Sequence, residues 1–269
     1  MRIIKIPGIN GLGKTGGCEK SPEVILNKLE EIFSNEQGSE VNLKKLDLDE
    51  VNLGNSDLEK DNKLIYKKGV EVFKKKGRSF FIGGDHSISY SIGKSFLDRC
   101  IEKRKEPCLI VFDAHPDCME PMREPTHEEW LRALVESGFP PENILLVGVR
   151  NSWKSEIDFM KKNNIKVMKM NSIVVDLEEC CDTLMEFARG KSLYVSIDID
   201  AIDPVFAPAT GYGSEVGGFT SREFLYIISR INKMKNLKWV DLVEINSEKD
   251  KKFNGMTCKL GAKILSEFL

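Results

Sequence analysis

Apolar and polar positions along this chain fall into short blocks that alternate between strand-like and helix-like patterns. Compact β-branched or apolar runs predict strands at Ile3–Ile6, Val41–Leu46, Ser79–Ile82, Cys108–Phe112, Ile144–Val149, Ile165–Met168, Ser192–Ile197 and Trp239–Val243. Helical segments lie between them. Ser21-Pro22 sets an N-cap before a proline at the first helical position and predicts a helix over Pro22–Phe33. Thr220 or Ser221 opens another over Arg222–Asn232, with Glu223 placed for a capping contact. A third starts near His127 and closes at Gly138, where Pro140-Pro141 bars its continuation. Repeated β-α units imply an α/β fold with a parallel sheet covered by helices on both faces. No linker rich in Gly, Pro or Ser divides the chain, so residues 1–269 are expected to form one domain, with polar Asp47–Asp61 as a loop or insertion.

What the strands carry matters more than their number. G-G-D-H-S (Gly83–Ser87), D-A-H-P-D (Asp113–Asp117), D-I-D (Asp198–Asp200) and Glu244 each follow the carboxyl end of a predicted strand. In open α/β sheets that edge is where ligands bind. Residues two apart at a strand end share a face, so Asp198 and Asp200 can reach one site, and Asp113, His115 and Asp117 repeat the spacing. An aspartate leaving an apolar strand is costly to bury alone and calls for a cation. His86, Asp113, His115, Asp117, Asp198 and Asp200 supply nitrogen and oxygen ligands for two divalent ions, and four aspartates balance their charge. Imidazole and carboxylate without thiolate favour manganese over structural zinc. Taken singly, G-G-D-H-S could be a tight turn capped by Asp85 and Ser87, and the other two motifs could be polar loops. Three such motifs in this order, in a chain with 3 histidines, favour a metal site.

Composition narrows the classes. A formal charge of −2 leaves no footprint for nucleic acid or a membrane surface. The 30% charged residues are mixed in sign, so the Lys74–Lys76 run is expected to be solvated surface. No apolar run is long enough for a membrane span, and Met1–Lys5 does not resemble a secretory leader. Seven cysteines without a C-x-x-C pair suggest reduced thiols in a cytoplasmic protein, with Cys118 beside Asp117 the one expected near the metals.

At these motifs the chain strongly resembles the ureohydrolase family of arginases, agmatinases and related guanidino-hydrolases. The likeness runs from about Lys5 to the C-terminus and includes Asp203-Pro204, Ala207–Gly211 and Gly217–Glu223. It implies a three-layer α/β/α sandwich around a mostly parallel eight-stranded sheet, two Mn2+ per chain, and a homo-oligomer, trimer or hexamer. His86, Asp113, Asp117 and Asp198 would hold one ion. His115, Asp113, Asp198 and Asp200 would hold the other, with Asp113 and Asp198 bridging. A water activated between them would attack a guanidinium carbon, releasing urea and a primary amine. Asp117 would orient that water and pass its proton to the leaving amine, His127 would shuttle protons, and Glu244 would pair with the guanidinium.

The outer pocket departs from the arginase pattern. Met119 and Arg123 stand where arginases carry an Asn and a Ser for the α-amino acid end. Trp153 replaces an amino-binding aspartate, and Glu156 stands where a second acid would be. The short interval between Asp117 and His127 resembles agmatinases, and Glu120, Glu124 and Glu156 could attract a distal ammonium. Arg123 could instead pair with a substrate carboxylate, and the segment Gly211–Gly217 also departs from the family loop. Agmatine is therefore the preferred small guanidino substrate. The alternatives are arginase, another guanidino- or formimino-acid hydrolase, a zinc deacetylase on a related fold, or a catalytically silent metal-binding regulator.

Overall fold

Eight parallel strands line up in the order β2-β1-β3-β8-β7-β4-β5-β6 in the computed structural model, which describes residues 1–75 and 77–269. They are β1 (Arg2–Ile6), β2 (Asp47–Glu50), β3 (Ser79–Gly83), β4 (Pro107–Phe112), β5 (Ile144–Val147), β6 (Lys166–Met168), β7 (Ser192–Asp198) and β8 (Leu237–Val243). The helices are α1 (Ser21–Leu29), α2 (Leu58–Phe73), α3 (Ile88–Glu102), α4 (Trp130–Glu136), α5 (Lys154–Lys162), α6 (Met170–Ile173), α7 (Leu177–Phe187), α8 (Ser221–Asn232), α9 (Ser247–Asp250) and α10 (Met256–Ser266).

The interior strands β3, β4, β5 and β7 are buried along their whole length, because helices cover both faces of the sheet. Alternate side chains feed two cores. Phe80, Ile82, Ile110, Phe112, Val195 and Ile197 pack with α1, α7, α8 and α10. Phe81, Leu109, Val111, Leu146, Tyr194 and Trp239 pack with α2, α3 and α4. Each layer buries what the pleat presents to it. The expected three-layer sandwich is therefore what the chain forms.

Several boundaries differ from the sequence reading. Val41–Leu46 is not a strand; it contains a 3-10 turn at Leu43–Lys45. Asp47–Asp61 is not a loop: its first four residues are edge strand β2, and α2 begins at Leu58. β2 is polar because its one neighbour is β1, so main-chain pairing and ions replace burial. Asp47 meets Arg2 Nε at 2.8 Å and Glu50 meets Lys5 Nζ at 2.7 Å across the strand pair. Helix α1 stops at Leu29, and Phe33 is exposed where the chain turns into an antiparallel bridge between Ser34 and Glu40. Ser21 does not cap that helix; its hydroxyl donates to the Ile245 carbonyl at 2.5 Å. The Thr220–Glu223 capping box does form. His127 lies in the loop before α4, and Gly138 follows its end in the left-handed region. Lys74 and Lys75 are exposed; Lys76 lies outside the described residues. No helix among the described residues is long and apolar enough to cross a membrane.

The four central strands β3, β8, β7 and β4 are neighbours, so their carboxyl ends meet at the middle of one sheet edge. The turn leaving β3 is tight enough to demand glycine. A Cβ on Gly84 would stand 2.0 Å from the Gly8 carbonyl oxygen, and backbone cannot move aside as a flexible side chain would. Gly84→Ala should cost about 1–3 kcal/mol of stability, seen as a lowered Tm.

Candidate metal centre

From β3 the chain runs through Gly84 and Asp85 to His86. Asp85 is fully buried and serves the turn: it accepts from the Asn10 amide at 2.7 Å, the Thr15 hydroxyl at 2.7 Å and the Ser87 hydroxyl at 2.5 Å. Burial, aided by the nearby Glu244 charge, pushes its carboxyl up to about 6. The loop so fixed aims His86 at the ends of β4 and β7. His86 Nδ1 lies 3.1 Å from Asp113 Oδ2, 3.1 Å from Asp117 Oδ2 and 3.3 Å from Asp198 Oδ2. His115 Nδ1 lies 2.9 Å from Asp200 Oδ2 and 3.6 Å from Asp113 Oδ1.

Two ligand groups emerge, His86–Asp113–Asp198 and Asp113–His115–Asp200, each with donor atoms within 4.8 Å of one another. Asp113 belongs to both. Asp198 groups with the first, and its Oδ1 accepts from the Asp200 amide at 2.7 Å. Asp117 stands beside the first group, where its Oδ2 also accepts from Trp130 Nε1 at 2.8 Å.

The donor set fits divalent cations on two counts. His86 Nδ1 and Asp113 Oδ2 are buried and lack a hydrogen-bond partner, although each faces the cluster. Leaving such atoms unmatched is costly, and an ion at that point would satisfy both. The cluster is also starved of positive charge. Burial, then the Asp113 charge, raises the Asp117 pKa; burial, then Asp200 and Asp113, raises that of Asp198 well above the usual carboxylate range. Burial opposes a charge on His86, yet the surrounding carboxylates win and hold its pKa well above the ordinary imidazole value. No thiol enters either group. Cys118 is buried, with Sγ donating to the Pro116 carbonyl at 3.0 Å, and all seven cysteines are buried and free.

Behind His86 runs a buried relay invisible to motif reading. Asp241, on β8, accepts from the Ser196 hydroxyl at 2.6 Å, the Ser89 hydroxyl at 2.8 Å and the Tyr194 hydroxyl. Ser196 Oγ lies 2.9 Å from His86 Nε2. A serine has one proton to donate, and this one goes to Asp241. His86 Nε2 must therefore be the donor, which leaves the Nδ1 lone pair for a cation. Outer partners of this kind orient metal-binding histidines. Ser196→Ala should weaken Mn2+ binding about 10- to 100-fold, read by calorimetric titration. A charged residue inside the buried run Trp239–Val243 was the available signal for Asp241.

Glu244, directly after β8, lies in the left-handed region at φ +62°, and Asp117, in the segment after β4, does so at φ +47°. Glu244 Oε1 accepts from the His86 amide at 2.8 Å and lies 3.3 Å from His127 Nδ1, while Oε2 is buried without a partner. A Cβ on Gly211 would come within 1.8 Å of that oxygen, so only glycine lets the loop close over it. His127 is buried, not a surface histidine, and its Nε2 is also unpartnered. Burial alone would lower its pKa, but the Glu244 contact and charge carry it up to about 9.

These groups floor a cavity of about 620 Å³ whose walls include Met119, Trp153, Tyr212 and Glu215. The expected outer residues scatter. Trp153 lines the cavity and is 71% exposed. Glu156 also lines it, but its oxygens accept from the Cys118 amide at 2.9 Å and the Trp153 amide at 2.8 Å. Arg123 is not on the cavity wall; it points to solvent and pairs with Glu59 at 3.1 Å. Glu124 accepts from Asn62 at 2.7 Å, and Glu120 is exposed.

A buried carboxylate–imidazole cluster at the carboxyl edge of an eight-stranded parallel sheet defines a class of α/β metal-site proteins. Comparison makes it specific: the arginase family model matches residues 2–269, and the chain belongs to that family. It is 32% identical over 194 residues to the agmatinase of Bacillus subtilis (strain 168), covering 70% of this chain and 61% of the relative. It is 31% identical over 183 residues to the arginase of Staphylococcus aureus (strain MRSA252), covering 61% and 59%. These matches span less than two thirds of either relative's length. Among solved structures, formimidoylglutamase from Bacillus subtilis superposes with a TM-score of 0.87 at 22% identity, over 99% of this chain and 85% of that one. Proclavaminate amidino hydrolase from Streptomyces clavuligerus gives 0.85 at 22%, over 99% and 89%. Both show the fold.

Proposed function

We propose that the chain is a binuclear manganese hydrolase that cleaves a guanidinium to urea and a primary amine, with agmatine as its preferred substrate. The observation that carries this reading is the pair of ligand groups sharing Asp113, which reach one cavity through Asp198, His115 and Asp200, with Glu244 and its unpartnered Oε2 on the same cavity wall. His86, Asp113, Asp117 and Asp198 would hold one ion, and His115, Asp113, Asp198 and Asp200 the other. Two divalent ions there would supply Lewis acidity and lower the pKa of a bound water.

The chain's own groups do the rest. Glu244 Oε2 accepts an N–H of the planar guanidinium and fixes its carbon over the cluster; its other oxygen is tied to the His86 amide, so it cannot swing away. Asp117 takes a proton from the attacking water, with Trp130 holding one of its oxygens in place. That proton goes to the nitrogen bearing the alkyl chain as its bond to the guanidino carbon breaks. His127, with one nitrogen against Glu244 and the other free, carries protons between this nitrogen and solvent.

An amine-tailed substrate is supported by the cavity wall. Among the described residues Lys14 is the one Lys or Arg lining it, and it is paired with Glu128 at 3.0 Å. The test is product analysis with added Mn2+: urea from agmatine, arginine and 4-guanidinobutyrate, and formamide from formiminoglutamate. Agmatine should give the highest kcat/KM. Formamide as the main product would move the reading to a formimino-acid hydrolase, and no product from any would leave a silent metal-binding protein.

A further inference from the structure

The loop that follows Gly211 carries a charged side chain whose position none of the motif residues explains. Arg150 holds this loop by its backbone. Its Nη2 donates to the carbonyls of Glu215 and Asp200, each at 2.6 Å, and its Nε donates to the Val216 carbonyl at 3.1 Å. Asp203 Oδ2 accepts from the Gly217 amide at 2.7 Å on the far side. Thr210 meets the loop again, 3.2 Å from the Ser214 hydroxyl. Three side chains, Arg150, Asp203 and Thr210, thus hold the segment around Glu215, and its side chain stands on the cavity wall.

The other charges at the cavity mouth are already matched. Lys14 and Glu128 pair with each other, and Glu156 is occupied by two backbone amides. Glu215 Oε1 has the neutral Asn151 amide at 2.7 Å and the His115 ring nitrogen Nε2 at 3.5 Å. Among the described residues no lysine or arginine pairs with its carboxylate. Once His115 gives its Nδ1 to a metal it is a neutral imidazole, and among the described residues Glu215 is the mouth carboxylate with no cation beside it and one oxygen, Oε2, without a donor. The side chain is about two-thirds buried, being 31% exposed, so an ammonium beside it would be partly shielded from water.

We propose that Glu215 forms the subsite for the ammonium end of an ω-guanidino amine, with Asn151 holding its carboxylate in position. The assignment rests on the guanidine-hydrolase reading above and names the residue that selects the substrate's tail. A terminal carboxylate would be repelled at the same point, and a neutral alkyl tail would gain nothing from it.

The test uses manganese-loaded protein and three probes of matched length: agmatine, 1-butylguanidine and 4-guanidinobutyrate. Affinity is read by calorimetry and kcat/KM by urea release, for the wild type and for Glu215→Gln. The wild type should favour agmatine over butylguanidine by about 10-fold or more, and Glu215→Gln should erase most of that gap through KM. Butylguanidine should change less than about twofold, and guanidinobutyrate should improve. Equal losses for agmatine and butylguanidine would overturn the subsite, because Glu215 would then act by steadying His115. A gap unchanged in the variant, or absent in the wild type, would overturn it too. An affinity gap that depends on Glu215 without urea from any probe would support the subsite and sink the hydrolase reading alone. Urea from agmatine and butylguanidine at equal kcat/KM would sink the subsite alone, and neither binding nor turnover would sink both.

Discussion

Asp113→Asn should erase turnover and leave the fold intact. Asp113 is the residue common to both ligand groups, one oxygen facing His86 and the other His115. Removing its charge weakens both ion positions at once, so urea release should fall by about 10³-fold or more. The same change should relieve the metal-free protein, because Asp113 burdens its neighbours: its charge helps raise the pKa of both Asp117 and Asp198. Two opposite effects are thus expected in one variant. Without metal its Tm should match or exceed that of the wild type. With Mn2+ at about 100 times Kd the wild type should gain about 2.7 kcal/mol, and the variant should gain little of it. Melting curves with and without Mn2+ read both. A variant that keeps the manganese-dependent rise would show that Asp113 is not a shared ligand.

His127→Asn should lower kcat by about 10²- to 10⁴-fold with a smaller change in KM. The imidazole is buried, bound to Glu244 by one nitrogen and free at the other, which suits proton transfer better than substrate binding. Its titration gives an independent check. In the metal-free protein its pKa is raised from 6.5 to about 9, the Glu244 contact and charge overcoming the effect of burial. A raised folded-state pKa means that its contribution to stability is fully present below pH 6.5. That contribution is lost as pH climbs through about 9. An NMR titration of the His127 ring should show the midpoint near 9, moving down in Glu244→Gln. A midpoint near 6.5 in both proteins would remove Glu244 as its partner.

The sheet and the convergence of the motif residues were legible for a common reason: both follow from short-range geometry. Apolar runs such as Leu109–Phe112 specify buried strands wherever they occur, and an acid or imidazole placed just after one must emerge at the carboxyl edge. His86, Asp113, His115, Asp117 and Asp198 meet there because β3, β4 and β7 belong to the same central block. Edge strand β2 was not legible, since Asp47–Glu50 draws its support from pairing with β1 and from ions rather than from apolar burial. Nor was the outer pocket. Glu156 looks like a free acid in sequence, yet two backbone amides claim it. Arg123 follows the second motif closely, yet its loop carries it to Glu59. Glu215 sits in a segment without periodicity, and contacts from distant residues, Arg150 about 65 positions away among them, hold it at the cavity. Asp241 and Ser196 were visible as polar residues in apolar strands, but their common target needs the β7–β8 register to be seen.

The central claim is met most directly by an anomalous-difference map from a crystal soaked in Mn2+. Two peaks about 3.5–4 Å apart, flanked by His86 Nδ1 and His115 Nδ1 with Asp113 between them, are the predicted result. A single peak, or peaks away from these side chains, would contradict the account.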